Sequence, residues 1–151
     1  MRLPVRVELD KCGIDLDSIR CPICDNDAES VEHMILSCPK VMDVWVRIFR
    51  WYNLGNVNTL YSGLNDMFKG KVVPSDPNSP SKIWQAIEWV TGYLIWRYRN
   101  LKVFENKDWN APTMVIEIQA KSFLWISSRT KKVKIEWNQW LLNPSVFDGH
   151  G

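Results

Sequence analysis

The spacing of three cysteines and one histidine constrains this chain more than any other feature of its sequence. Cys21 and Cys24 are separated by two residues, and eight further residues lead to the next possible ligand, a histidine. Four more residues precede another cysteine. Three thiolates and one imidazole complete the tetrahedral coordination of Zn²⁺ and leave no position for water, so such a site supports structure rather than catalysis. The spacing therefore predicts one structural zinc ion, bound by Cys21, Cys24, His33 and Cys38.

The residues between these ligands favour a tight turn followed by a short helix. Pro22 restricts the backbone between the first two cysteines. We expect the amides of Ile23 and Cys24 to donate hydrogen bonds to the Cys21 sulfur. Ser30 is a suitable N-cap for a short helix that carries the histidine.

Two alternatives to this ligand set stay open at the level of sequence. In the first alternative, the four residues are small side chains buried in the core without a metal, since free cysteines are often buried. Alternatively, Cys12 replaces His33 as the fourth ligand, although it lies nine positions before Cys21 and does not match the usual spacing.

The length and composition of the chain are those of one folded domain. Its 151 residues are enough to bury a substantial core. No apolar run reaches the roughly 18 residues of a membrane helix, and the start, MRLPVRVELDKCG, lacks the apolar stretch of a signal peptide. We therefore expect an intracellular protein, nuclear or cytoplasmic, with no membrane partner. In a reducing compartment, clustered cysteine and histidine indicate a metal rather than disulfides.

Hydrophobic spacing predicts a mainly α fold, in which a small zinc-stapled motif precedes a helical bundle. Apolar residues at i, i+3, i+4 and i+7 predict a helix that begins at Pro39 and ends at Asn53. Asn110 is expected to cap a later helix whose buried residues include Trp125. Further helices are predicted over about 59–69, 81–105 and 133–142.

The clearest loop predicts a boundary between two parts of the chain. Residues 71–80 contain three prolines together with serine, aspartate and asparagine. We divide the chain into a zinc-binding domain at 1–70, a proline-rich loop at 71–80 and a helical C-terminal extension at 81–151.

The first third of the chain carries a family resemblance. It reads LPVRVELDKCGIDLDSIRCPICDNDAESVEHMILSCPKVMDVW, which resembles the zinc-binding domain that follows the reverse transcriptase in plant LINE-type (non-LTR) retroelements. In that family an LPTR segment precedes Cys-Pro-x-Cys, a Glu-His pair, a Cys-Pro and a helix that ends in tryptophan. The residues that match are Leu3, Pro4, Arg6, Leu9, Gly13, Cys21, Pro22, Cys24, Glu32, His33, Cys38, Pro39 and Trp45.

The chain also departs from the resembled proteins in ways that bear on activity. Val5 stands where the family usually has threonine, and the helix that normally precedes this segment is missing, so we expect a piece of a longer parent. The sequence has no Tyr-x-Asp-Asp motif and no adjacent pair of aspartates, so the metal site of a polymerase is missing. The resemblance thus implies a zinc-binding, non-enzymatic domain whose parent proteins are RNA-directed DNA polymerases.

Charge is distributed unevenly along the chain. Residues 1–46 hold nine acidic and five basic residues, a net charge of −4, whereas residues 97–134 hold nine basic and three acidic residues, a net charge of +6. Cations attract phosphate, and neighbouring aromatic rings can stack on unpaired bases. The candidate nucleic-acid-binding residues are Arg97, Arg99, Lys102, Arg129, Lys131, Lys132 and Lys134.

The partner predicted by these features is RNA or single-stranded DNA, or another retroelement protein; the oligomeric state stays open. We expect the acidic zinc loop, with Asp25, Asp27, Glu29 and Glu32, to repel phosphate. The tryptophans near the basic residues, Trp96 and Trp125, are expected to lie in the core. The alternative is a protein-interaction or scaffold module, or an inactive retroelement remnant, that binds no nucleic acid.

Overall fold

The computed structural model describes residues 3–53, 82–129 and 134–147. The first element is a short helix, α1, at Arg6–Lys11. It ends in a turn at Gly13, whose φ of +81° lies in the left-handed region that favours glycine. Residues 14–19 then lead without regular structure into the segment that contains the first two cysteines.

The cysteine segment folds back on itself before the chain enters a helix. Arg20 and Ala28 form an isolated antiparallel bridge, and Asp25 takes a left-handed conformation with φ of +54° between them. The following helical turn is a π-helix at His33–Ser37. Helix α2, Pro39–Tyr52, begins directly after Cys38 and ends at Asn53, which adopts the left-handed conformation of a C-cap.

Two long helices form the C-terminal part of the described structure. Helix α3 spans Lys82–Glu105 and helix α4 spans Ala111–Arg129. The Asn110 side chain caps α4 by accepting a hydrogen bond from the amide of Thr113 at 2.9 Å, as predicted. A short helix α5 at Trp137–Leu142 and a 3₁₀ turn at Pro144–Phe147 follow.

One hydrophobic core joins the described residues of the zinc segment and of the C-terminal helices. Helix α2 packs against the π-helix and α4, while α3 packs against α4 and the π-helix. Phe49 of α2 makes an edge-to-face contact with Trp84 of α3, with ring centroids 5.2 Å apart. The apolar residues whose spacing predicted α2 are all buried: Val41, Val44, Trp45, Ile48, Phe49 and Tyr52.

The mainly α fold with a zinc-stapled N-terminal motif is therefore confirmed. The part of the chain that the structure describes contains no strand, only the isolated bridge. No helix within the described ranges has the length and apolar character of a membrane span. Several predictions fall outside the described residues: the helix at 59–69, the proline-rich loop at 71–80 with its domain boundary, and the roles of Lys131 and Lys132.

Two local predictions differ from the structure. The last helix begins at Trp137 rather than near residue 133, because residues 134–136 are not helical and Glu136 is extended. Ile135 is buried from this irregular segment. Trp125 is 47% exposed rather than buried. The buried side of α4 follows positions four apart, where Met114, Ile118, Ser122 and Ile126 are buried, and Trp125 lies beside that line.

Candidate metal centre

The first two cysteines are held by the fold-back of their own segment. The Cys21 amide donates to the Asp27 carbonyl at 2.7 Å, and the Asp25 amide donates to the Cys21 carbonyl at 2.8 Å. These bonds close the turn around the Cys-Pro-Ile-Cys sequence. The backbone amides of Cys24 and Ile23 donate to the Cys21 sulfur, as the sequence predicted. The turn thus presents both sulfurs to one point while its amides stabilise negative charge on Cys21.

The histidine is placed by the π-helix. Ser30 Oγ accepts a hydrogen bond from the His33 amide at 3.0 Å, which confirms the predicted cap. The Cys38 amide donates to the His33 carbonyl at 2.8 Å, which closes the wider i to i+5 turn. This wider turn brings His33 and Cys38, five positions apart, to the same site. The side chain of His33 is 7% exposed, and its Nε2 lies 3.4 Å from the Cys24 sulfur.

Cys38 lies at the junction between the π-helix and α2. Its sulfur accepts hydrogen bonds from the amides of Val41 and Lys40 in the first turn of α2. A helix N-terminus favours negative charge, and it stabilises a thiolate in this position. Trp45 fixes the junction, because its Nε1 donates to the Ile35 carbonyl of the π-helix at 2.8 Å.

The four ligand atoms fit one tetrahedral zinc ion. The sulfurs of Cys21, Cys24 and Cys38 and a ring nitrogen of His33 all lie within 4.8 Å of one another. Zinc bonds of about 2.3 Å to sulfur and about 2.0–2.1 Å to nitrogen place two sulfurs about 3.8 Å apart, and a sulfur and a nitrogen about 3.5 Å apart. The structure has 4.0 Å between the sulfurs of Cys21 and Cys38, and 3.4 Å between the Cys24 sulfur and His33 Nε2.

The surroundings of the ligands are those of a structural rather than a catalytic centre. Cys21 and Cys38 are fully buried and Cys24 is partly buried. With four protein ligands, no coordination position is left for a substrate or an activated water. The alternative ligand set is not supported, since Cys12 is exposed and lies outside the cluster.

The thiol groups of the centre are coupled. The hydrogen bond between the sulfurs of Cys21 and Cys38 raises the pKa of Cys21, and burial raises it further. The same hydrogen bond lowers the pKa of Cys38. Because zinc binds thiolates, these residues release protons when they bind the metal, and zinc affinity falls as the pH falls.

A buried ion pair behind the metal centre was not predicted from the sequence. Glu29 is fully buried, and its carboxylate accepts two hydrogen bonds from Arg99 and a third from the Arg6 amide at 2.9 Å. The sequence analysis placed Glu29 among the acids of the zinc loop that repel phosphate, and Arg99 among the nucleic-acid-binding residues. Both roles are corrected, because burial removes Glu29 from the surface and Arg99, at 4% exposure, has its guanidinium on Glu29.

Four of the other predicted basic residues lie within the described ranges: Arg97 and Lys102 on α3, Arg129 at the end of α4, and Lys134 before α5. Arg97, Arg129 and Lys134 are exposed, and Lys102 is partly buried. The Arg129 guanidinium lies 3.7 Å from the centroid of the Trp125 ring, in a cation–π contact. Trp96 is partly buried, and the Arg99 guanidinium lies 5.1 Å from the centroid of its ring.

The fold and the site define a helical domain built around a structural zinc centre. Residues 1–45 match the family model zf-RVT, described as zinc-binding in reverse transcriptase. The match spans α1, all four zinc ligands and the first half of α2, and it is to a zinc-binding domain rather than to a polymerase domain. The resemblance found in the sequence is confirmed at that level. No curated protein and no solved structure matches the chain.

Proposed function

We propose that this chain is a non-catalytic, zinc-braced module that binds RNA or single-stranded DNA, and that it derives from a plant LINE-type retroelement. The zinc centre has a structural role in this proposal. It fixes the turn that holds Glu29, and Glu29 in turn fixes Arg99 of α3. The family match over residues 1–45 supports the retroelement origin.

The observation that carries the proposal is the presence of exposed cations and an exposed ring on α3 and α4. Arg97 and Arg129 are exposed on α3 and α4, and Arg129 stacks on the half-exposed Trp125. Around the metal, by contrast, Asp25 and Asp27 are exposed carboxylates. Phosphate is therefore attracted to the C-terminal helices and repelled from the zinc turn.

A titration with single-stranded RNA at two salt concentrations tests this function. Replacing Lys131, Lys132 and Lys134 by alanine should weaken binding and reduce the log–log salt slope by about 0.7 for each phosphate that is no longer neutralised. A matched control replaces three exposed cations of the N-terminal part by alanine and should have a smaller effect: Lys11, Arg47 and Arg50. Both variants should keep their zinc.

Three results would count against the proposal. Equal losses of affinity in the triple lysine variant and the control variant would point to net charge alone. A lack of salt-dependent binding by the unmodified protein would favour the scaffold or remnant function. Primer extension on an RNA template with Mg²⁺ should give no product, and activity that survives removal of contaminating enzymes would contradict the non-catalytic assignment.

A further inference from the structure

A large groove lies between α3 and α4, and none of the zinc ligands lines it. Its volume is about 850 Å³, within the range of ligand-binding clefts. Three aromatic side chains on its walls are strongly exposed: Trp89 by 58%, Tyr93 by 57% and Trp125 by 47%. We call it the aromatic groove; the residues that line it are Lys82, Gln85, Ala86, Trp89, Val90, Tyr93, Lys121, Leu124 and Trp125.

The aromatic groove is built on rigid elements. Helices α3 and α4 are joined by a short turn and run antiparallel, and the Tyr98 hydroxyl donates to the Glu117 carboxylate at 2.7 Å between them. Trp89 and Tyr93 lie one turn apart on the same side of α3. The backbone positions that carry these two rings are therefore fixed relative to that of Trp125 on the facing helix.

The charges on and beside the groove are complementary to an anion. Lys82 and Lys121 line it, and none of its lining residues is acidic. Arg97 lies one helical turn beyond Tyr93, and Arg129 lies on the Trp125 ring. The nearest described carboxylate in sequence on α4 is Glu117, which is already bonded to Tyr98 and lies 3.9 Å from the Lys121 ammonium.

We propose that the aromatic groove binds the bases of a single-stranded nucleic acid by stacking, with Lys82, Lys121 and the flanking arginines on its phosphates. The inference rests on the proposed function and assigns it a site. A single strand offers flat apolar faces and regularly spaced negative charges, which match the rings and cations together. An apolar protein helix would match the rings but add no negative charge beside the cations, so the groove favours the nucleic acid.

A strand that has phosphates but no bases distinguishes the contribution of stacking to affinity from that of phosphate binding. Binding is measured for an oligouridylate and for a strand of equal length made of abasic residues. Replacing Tyr93 or Trp125 by alanine should lower affinity for the oligouridylate by about 5-fold or more, the loss expected for one stacked base. The same changes should have little effect on the abasic strand, and the salt slope should be preserved.

A matched control lies on the same helix. Phe104 of α3 is 77% exposed and is not a lining residue, so Phe104→Ala should leave both affinities unchanged. Trp125→Phe keeps a flat ring and should retain most of the affinity. Where an alanine variant loses helical circular dichroism or zinc, Tyr93→Leu and Trp125→Leu replace it, since leucine keeps apolar bulk but cannot stack.

Each contrary outcome has a distinct meaning. If the ring variants bind the oligouridylate as well as Phe104→Ala does, while the triple lysine variant is weakened, the groove assignment is wrong and the proposed function stands. If the unmodified protein binds neither strand, both are wrong. If the ring variants change sedimentation of the protein but not its RNA affinity, the groove is a protein-docking face and the inference is overturned.

Discussion

Glu29 of the zinc segment and Arg99 of α3 form a buried bidentate ion pair across 70 positions of the chain. The distances are 2.8 Å from Arg99 Nε to Glu29 Oε2 and 2.6 Å from Nη2 to Oε1. The Glu29 backbone is bonded as well, since its carbonyl accepts from the Val7 amide at 3.1 Å. This residue therefore connects α1, the cysteine turn and α3.

Removal of the arginine should strongly destabilise the protein. Arg99→Met leaves the Glu29 carboxylate buried without its countercharge, which costs about 3–5 kcal/mol. Denaturant unfolding should show a lower midpoint with little change in slope. The surface pair of Arg47 and Asp43, 3.1 Å apart, provides the control. Arg47→Met should cost less than about 1 kcal/mol. Equal losses of stability in the two variants would mean that the buried pair has no special weight.

Each chain should bind one zinc ion, and binding should require all four ligands: Cys21, Cys24, His33 and Cys38. Cys24→Ser should lose the metal, whereas Cys12→Ser should keep it, because Cys12 is exposed outside the cluster. Metal binding contributes on the order of 10 kcal/mol in small zinc modules, so a strong chelator should unfold the N-terminal part. Elemental analysis and circular dichroism give the readouts. Loss of zinc from Cys12→Ser would contradict this ligand set.

The junction between the π-helix and α2 should depend on Trp45. Its indole is fully buried and donates to the Ile35 carbonyl at 2.8 Å. Trp45→Phe removes that donor and some core volume, at an expected cost of about 2–3 kcal/mol in unfolding free energy.

The control for this change is a tryptophan with a more exposed hydrogen bond. Trp51 is partly buried, and its Nε1 donates to the Trp140 carbonyl at 3.0 Å. Trp51→Phe should cost about 1 kcal/mol. A larger loss of stability for Trp51→Phe than for Trp45→Phe would show that the junction is not the more important contact.

Tyr98 should ionise late in an alkaline titration. Burial, together with the hydrogen bond to Glu117, raises the pKa of Tyr98 to about 12 from an ordinary value near 10. Because the folded protein holds this proton more tightly, the contribution of Tyr98 to stability is complete below about pH 10. It is lost as the pH rises towards 12, since the unfolded chain ionises first.

Absorbance titration of tyrosinate checks this prediction. Tyr98→Phe should remove the signal of one tyrosine from the late-ionising component, and in Glu117→Gln that signal should shift partway towards the ordinary value, because burial remains. An unchanged titration curve in Tyr98→Phe would contradict the assignment.

The metal ligands and most helix ends were predictable because they depend on local sequence. The ligand spacing places three thiolates and an imidazole within one short segment, and zinc binds four such ligands almost always in a tetrahedron. Ser30, Asn53 and Asn110 act at helix ends through bonds to nearby backbone or through a left-handed conformation. Such effects operate over a few residues, so the sequence shows them directly.

Tertiary structure decided which charged and aromatic residues are available at the surface. Glu29 and Arg99 have no local signal that separates them from neighbouring acids and bases, and only the packing of α3 on the zinc segment buries them together. The exposure of Trp125 depends in the same way on which side of α4 faces the core. The side chains of one helical turn point to all sides of the helix axis. Which of them are buried depends on the element that packs against the helix, so burial is decided only when the helices assemble.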